Sequence, residues 1–273
     1  MAALLLAACS GGISPKLSQG STTTSTTPPG STTTTTHPKR PKPATTQVAL
    51  FFDRGTALGV AHRSVPVASV RYAALRALFA GPDPSEQAAG LRTSIPTGSI
   101  LEGLSFNGSL AYVSVNSGFF AAASTTEMTL RLAEIVYTLT EFSGVTSAQF
   151  YVHGATLSNV DGIPTSRPLD RTDLAVAVGD FLLVSPAVGD TVTSPVTISG
   201  LSEFSGTLEV QITDSAGKLI VNTVATTTVG ESFTYTYPYT SNEAGPATVK
   251  VFAAPNRSSN AQLVAAIPVT LGR

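Results

Sequence analysis

Few residues in this chain could carry out chemistry. One cysteine, Cys9, occurs in 273 residues, and a single thiol excludes an intramolecular disulfide framework, a cysteine-rich zinc site and a CxxC redox pair. His62 and His153 are the histidines beyond the amino-terminal tract. His153 stands beside Gly154 after an apolar run and could reach Asp161, but zinc asks for three or four ligands at compatible spacing. His62 and Arg63 precede the first expected helix, where an anion would meet the helix's positive end; the competing reading is a plain solvated loop. Asp161, Asp170, Arg171 and Asp173 read either as a weak cation site or as a salt-bridged lid over a sheet, and the lid is preferred because exposed ion pairs are common and weakly stabilising. Arg63 and Arg171 are the candidate binding residues. The spacings of a nucleophile elbow, a phosphate loop, HExxH, an EF-hand loop and a dinucleotide fingerprint do not occur. The reading therefore assigns no catalytic residue, no metal and no cofactor.

Charge narrows the partners. Residues 1–46 hold four basic groups and no acidic one, and the remainder holds 12 basic against 17 acidic groups, a net of −5. A mildly acidic body argues against nucleic acid, whose capture rests on clustered Lys and Arg facing phosphates. The 42% hydrophobic content suffices for ordinary globular cores in one or two domains.

The elements that would position these residues begin with a short strand, Val48 to Phe52, ending at Asp53-Arg54-Gly55. A loop leads to an amphipathic helix with Pro66 in its first turn. Val67, Val70, Ala74, Leu75 and Leu78 recur at spacings of three and four and form its buried stripe. Gly81-Pro82 stops it, glycine taking the left-handed cap position and proline blocking continuation. An extended exit through Ile95-Pro96 leads to strands Ile100–Phe106 and Leu110–Val115, joined by Asn107-Gly108 as a type I′ hairpin turn. Ser124 and Glu127 have capping-box spacing. The helix they open buries Met128, Leu132, Ile135, Val136 and Leu139, pairs Glu127 with Arg131 outside, and ends at Gly144. A last strand, Ala148–Val152, gives the order strand, helix, strand, strand, helix, strand, a split βαβ α+β sandwich.

From Phe181 onward Pro and Gly punctuate short alternating segments: Phe181–Val184, Val196–Ser199, Leu208–Ile212, Leu219–Ala225, Phe233–Tyr237, Ala247–Phe252 and Leu263–Leu271. That spacing suggests an all-β sandwich. Leu208, Val210 and Ile212 would face inward, Glu209, Gln211 and Thr213 outward, with Asp214 to Gly217 turning the chain.

The amino terminus has a different character. Met1–Ala8 is apolar but far shorter than the roughly 20 residues that span a bilayer. Leu6-Ala7-Ala8-Cys9 resembles the lipobox of bacterial lipoproteins, in which the leader is cut before the cysteine and the thiol receives a lipid. The missing charged n-region points to a start upstream of Met1. Ser10 to Thr46 is rich in Thr, Ser, Pro and Gly, lacks apolar periodicity, and is expected to be a disordered tether. Its 37 residues give an r.m.s. reach of roughly 35 Å. Thr-rich tracts with Pro are also acceptors for O-glycans, and for the basic cluster a solvated linker is preferred over contact with anionic lipid or wall polymer.

Two further resemblances follow. Leu78 to Pro82, Gly90 to Pro96, Ala111 to Val115, Ile135 to Thr140 and Pro168 to Arg171 together resemble the GerMN domain of bacterial sporulation and germination lipoproteins, with Asn116 standing where that family commonly has Asp. Ser185-Pro186, Val192 to Val196, Ser199-Gly200, Phe204 to Thr207 and Ile267 to Val269 resemble the immunoglobulin-like domain that accompanies GerMN domains, with Ser205 in place of a frequent acidic residue. The resemblance implies a noncatalytic envelope protein. The expected organisation is 1–9 leader end and lipobox, 10–46 tether, 47–178 GerMN-like domain and 179–273 immunoglobulin-like domain. Cys9 would hold the chain to the membrane through lipid. Its partners would be envelope proteins, among them a membrane sensor or enzyme that it assists, or a cell-wall polymer; an envelope hydrolase would require a polar cleft with a base of shifted pKa.

Overall fold

A computed structural model describes residues 43–272 apart from 122, 241–243 and 256–259. Cys9, the lipobox and residues 10–42 of the expected tether lie outside the described residues. The described residues belong to one compact unit.

β1 (Thr45–Asp53) is longer than its apolar stretch suggests, and it folds back as an antiparallel hairpin onto β2 (Leu58–Pro66). The sequence reading makes this second strand a loop. The segment from Leu58 to Ala61 is buried without alternation, and an apolar run of four carries no period by which to recognise a strand. Pro66 consequently closes a strand, and α1 (Val70–Phe79) starts four residues later behind Ser69, whose φ is +61°. Ala74, Leu75 and Leu78 are buried as expected, whereas Val67 falls outside the helix and is exposed. Gly81 takes the left-handed conformation, φ +77°. The exit from α1 holds an unforeseen short helix, α2 (Pro84–Ala88), opened by a capping box between Asp83 and Glu86.

β3 (Leu101–Asn107) and β4 (Leu110–Val115) form the expected hairpin, with Asn107 paired to Leu110. The turn residues are therefore Gly108 and Ser109, one position beyond the expected pair. Positive φ falls on Gly108 at the first central position, the glycine placement of a type II′ turn. Asn116 ends β4 with an amide-specific staple: Oδ1 accepts from Ile100 N at 2.9 Å and Nδ2 donates to Gly98 O at 3.0 Å. An aspartate could make only the first bond.

α3 (Thr125–Thr140) begins at the Ser124–Glu127 capping box and crosses from β4 to the parallel β5 (Ser147–Val152), a βαβ unit. β3, β4 and β5 make one sheet and β1 with β2 another. α3 packs on β1, α1 and β5, and it is buried on all sides from Met128 to Leu139. That enclosure overturns the expected exposed pair of Glu127 with Arg131. Arg131 turns inward and donates to the carbonyls of Ser94 (2.8 Å), Phe119 (2.7 Å) and Ala121 (2.9 Å). Glu134, one turn on and fully buried, accepts from Thr93 Oγ1 at 2.7 Å and Ser94 N at 2.6 Å. These two side chains fix the Thr93 to Pro96 exit against α3.

The second part is all β. One sheet has the order β10-β9-β12-β13-β7 and the other β11-β8-β6. The strands are β6 (Phe181–Ser185), β7 (Thr191–Val192), β8 (Val196–Ser202), β9 (Gly206–Asp214), β10 (Leu219–Thr227), β11 (Glu231–Tyr237), β12 (Gly245–Pro255) and β13 (Gln262–Leu271). The seven expected segments all appear, with β7 added. Leu208, Val210 and Ile212 face the core. Thr213 is buried too, beside the register shift where Leu219 pairs with Thr213 but Val221 with Ile212. Gly200 pairs with Phe233 across β8 and β11, and a Cβ there would lie 2.1 Å from Leu182 O and 2.8 Å from Phe233 Cζ. Its bareness admits the ladder of Phe181, Phe233, Tyr235 and Tyr237, with successive centroids 5.5, 6.0 and 6.3 Å apart.

Burial is the main influence on the Glu134 carboxyl, pushing its pKa up to about 8 from 4.5. The folded chain thus holds a proton there that the unfolded chain releases near pH 4.5. Its stabilising contribution is complete below pH 4.5 and lost as pH rises through about 8, with a maximal slope on the order of 1.4 kcal/mol per pH unit. Denaturant melts of Glu134→Gln across pH 4.5 to 8.5 should show a flatter stability profile than the parent; equal slopes would contradict the assignment. Gly200→Ala should lose about 1–3 kcal/mol in the same melts through overpacking, and an unchanged midpoint would contradict the steric reading.

Candidate functional site

The arginines singled out by the sequence are each held within the fold. Arg63 lies on β2, not in a loop before a helix. Its Nε donates to Glu86 Oε1 at 2.9 Å, Nη1 to Ala77 O at 3.0 Å and Nη2 to Gly81 O at 2.8 Å, while Nη2 also meets Glu86 Oε2. The guanidinium lies 5.2 Å from the centroid of the Phe52 ring. α2 thus supplies the carboxylate that neutralises Arg63, and the expected meeting with an outside anion finds that charge already paired. Arg171 donates to Thr140 Oγ1 at 2.7 Å and Tyr137 O at 3.2 Å, pairs with Glu141, and lies 4.8 Å from the centroid of the Tyr137 ring. It clasps the carboxyl end of α3.

The charged turn beside it is salt-bridged: Arg167 Nη1 donates to Asp173 Oδ2 at 2.8 Å, and Asp170 Oδ1 accepts from Thr172 N (2.8 Å) and Asp173 N (3.1 Å). His153 is exposed in a turn at φ +49°. Among the described residues no three His, Cys, Asp or Glu side chains are placed to hold a metal ion.

His62 has a different role. From β2 its Nδ1 meets Asp190 Oδ2 at 2.8 Å and Oδ1 at 3.0 Å. Gln47 Nε2, on β1, donates to Asp190 Oδ1 at 3.1 Å, and Ala187 N donates to Oδ2 at 2.8 Å. Asp190 belongs to the turn before β7, so one carboxylate ties the first domain to the second. Beside it Ala61 bridges Val188 in parallel, and Arg54 Nη2 donates to Ala266 O of β13 at 3.2 Å. The connecting turn, Ala175–Val178, buries Ala177 and Val178 and packs on α3. Asp190, Gln47 and Arg54 escape sequence reasoning because Gly189-Asp190 reads as an ordinary turn and the other two residues as strand flanks.

Between the domains this seam leaves a cleft of about 280 Å³, lined by Arg54, Leu58, Val60 and Leu91 on one side and by Phe181, Leu183 and Ile267 on the other. Arg54 supplies its charge, while Leu58, Val60, Leu91 and Ile267 are themselves buried behind its surface. No general base with an attendant nucleophile stands among its lining residues.

Comparison with known proteins agrees with this architecture. Residues 49–158 match the model of Germane, sporulation and spore germination, and residues 182–259 match Gmad2, the immunoglobulin-like domain of bacterial spore germination. No curated protein matches the chain. Among solved structures, the tandem GerMN domains of the Bacillus subtilis sporulation protein GerM are 21% identical, covering 48% of this chain and 47% of that one, with a TM-score of 0.39. The first GerMN domain of the same protein is 20% identical over 46% of this chain and 98% of its own, with a TM-score of 0.37. A candidate lipoprotein of Clostridium perfringens is 17% identical over 47% and 89%, with a TM-score of 0.36. The chain thus carries a Germane (GerMN-type) domain over residues 49–158 followed by a Gmad2 immunoglobulin-like domain over residues 182–259.

Proposed function

We propose that this chain is a noncatalytic, lipid-anchored protein of the bacterial cell envelope that recognises envelope proteins with its two-domain body, in sporulation, germination or the assembly of an envelope complex. The observation that carries the reading is the pairing of two germination-family domains, joined in one compact unit, behind a sequence whose sole cysteine closes a lipobox-like run. Both families are germination-type domains rather than known enzymes. Among the described residues no helix is long and apolar enough to cross a membrane; attachment in this reading rests on lipid at Cys9, the end of the lipobox-like run. The residues from Ser10 up to the start of β1 at Thr45 then set the reach, and the seam presents both domains to a partner together. Accessory service to a membrane sensor or enzyme is one form of the same role.

Labelling cells with radioactive palmitate should mark the chain and leave Cys9→Ala unlabelled; label retained by the variant would overturn the anchor. A photo-crosslinker at the exposed Val176 should recover a discrete envelope protein from intact membranes. Co-sedimentation with purified wall polymer, with no protein crosslinked, would replace this reading with a glycan-binding one.

A further inference from the structure

The sandwich ends in four outer strands, β10, β7, β11 and β6, and one of them lacks protection. β7 is two residues long, β6 carries a register shift between Leu183 and Ser185, and β11 opens on the charged Glu231. Shortness, irregularity and charge are the devices that keep a sheet edge from pairing with another chain. β10 runs for nine residues without a charged residue, a proline or a glycine, and its register shift falls at its very start, between Leu219 and Val221. Val224, at mid-strand, is 62% exposed, and Leu219 at the start and Val229 just past the end are 48% and 55% exposed.

The direction of the free backbone groups follows from one bond. The Tyr235 hydroxyl, on β11 of the opposite sheet, donates to Thr226 O, so that carbonyl points away from β9. Antiparallel strands turn the N–H and C=O of alternate residues to alternate sides, and Asn222 and Val224 therefore point theirs outward with Thr226. Among the described residues no hydrogen bond from another strand reaches the Asn222 or Val224 backbone on that side. A groove of about 520 Å³ lined by Asn222, Thr223, Tyr237 and Tyr239 lies open beside this edge.

We propose that β10 pairs antiparallel with β10 of a second copy of this chain, about a two-fold axis at Val224. The strand is complementary to itself in that register: Val224 meets Val224 on the exposed face, Asn222 meets Thr226 on either side of it, and Thr223 meets Ala225 on the inner face. The outward N–H and C=O groups of Asn222, Val224 and Thr226 are then all opposite one another, and Thr226 O keeps a second lone pair for the new bond. No like charges come together, and an uncharged strand has nothing with which to select a charged partner. The same patch on both copies is the condition of a two-fold interface. One strand pair buries little surface, so the association is weak and disperses on dilution; lipid at Cys9 would confine copies to one surface and raise their effective concentration. The inference goes beyond the partner-binding reading, and the two fail separately, since self-association in solution needs no lipid and no envelope partner.

The test is sedimentation velocity of the full chain carrying Cys9→Ser, from about 1 μM to about 1 mM, the range in which weak association shows. The sedimenting mass should climb toward that of two chains at the upper end. Val224→Lys sets two like charges against each other on the axis and should weaken the association at least about tenfold, while its thermal melt stays that of the parent because the position is exposed. In the Cys9→Ser background, Val224→Cys should form a disulfide-linked dimer under mild oxidation, since Cα atoms of a hydrogen-bonded antiparallel pair stand about 5.5 Å apart, within disulfide reach. Ser215→Cys, exposed in the turn before β10, should not. A mass that stays at one chain throughout, a dimer unaffected by Val224→Lys, or a Ser215→Cys disulfide that forms as readily would overturn the proposal. Protection of the β10 amides from hydrogen exchange that appears only when a different envelope protein is added would give the edge to that protein and overturn self-pairing likewise.

Discussion

Asp190 is the constraint on which the arrangement of this molecule depends. Its carboxylate receives Gln47 and His62 from the hairpin of the first domain and Ala187 N from its own turn. With side chains 13% exposed at Asp190 and 17% at His62, these bonds are largely shielded from water and weakly screened. Removing either partner would strand the other's polar atoms, a larger penalty than the net gain from the pair. The alignment also sets the backbone bridge of Ala61 with Val188 and brings Arg54 to β13.

Much of the fold was legible because its signals are local. The capping box at Ser124 and Glu127, the glycine stop at Gly81 and the alternation of Leu208, Val210 and Ile212 each state a structure within a few residues. β2 was hidden because four consecutive buried residues, Leu58 to Ala61, carry no period. α2 was hidden because five residues are too few to show one. The turn of the first hairpin slipped by one residue because both Asn107 and Gly108 tolerate positive φ, and pairing across the strands, not the turn alone, decides which of them adopts it.

The site was less legible than the fold. Arg63 was visible in the sequence as a cation near a helix, yet its partner Glu86 is supplied by the unforeseen α2, and the pairing turns a candidate receptor into an internal brace. Arg131 looked like half of a surface pair and is a buried donor to three carbonyls. His62 pairs with Asp190 across 128 positions; no local pattern announces a contact of that range. The Asn116 departure from the family pattern, by contrast, has a local reason in the staple between Gly98 and Ile100. Two domains held by a shared carboxylate present their surfaces in a fixed relation.

The central claim is that the two domains move as one body. Its most direct test is a pulsed electron-spin distance measurement between labels at Glu102→Cys in the first domain and Ser215→Cys in the second, both exposed positions, in a Cys9→Ser background. The account predicts one narrow distance distribution that leaves no second population; a broad or bimodal distribution would show the domains swinging independently and would contradict it.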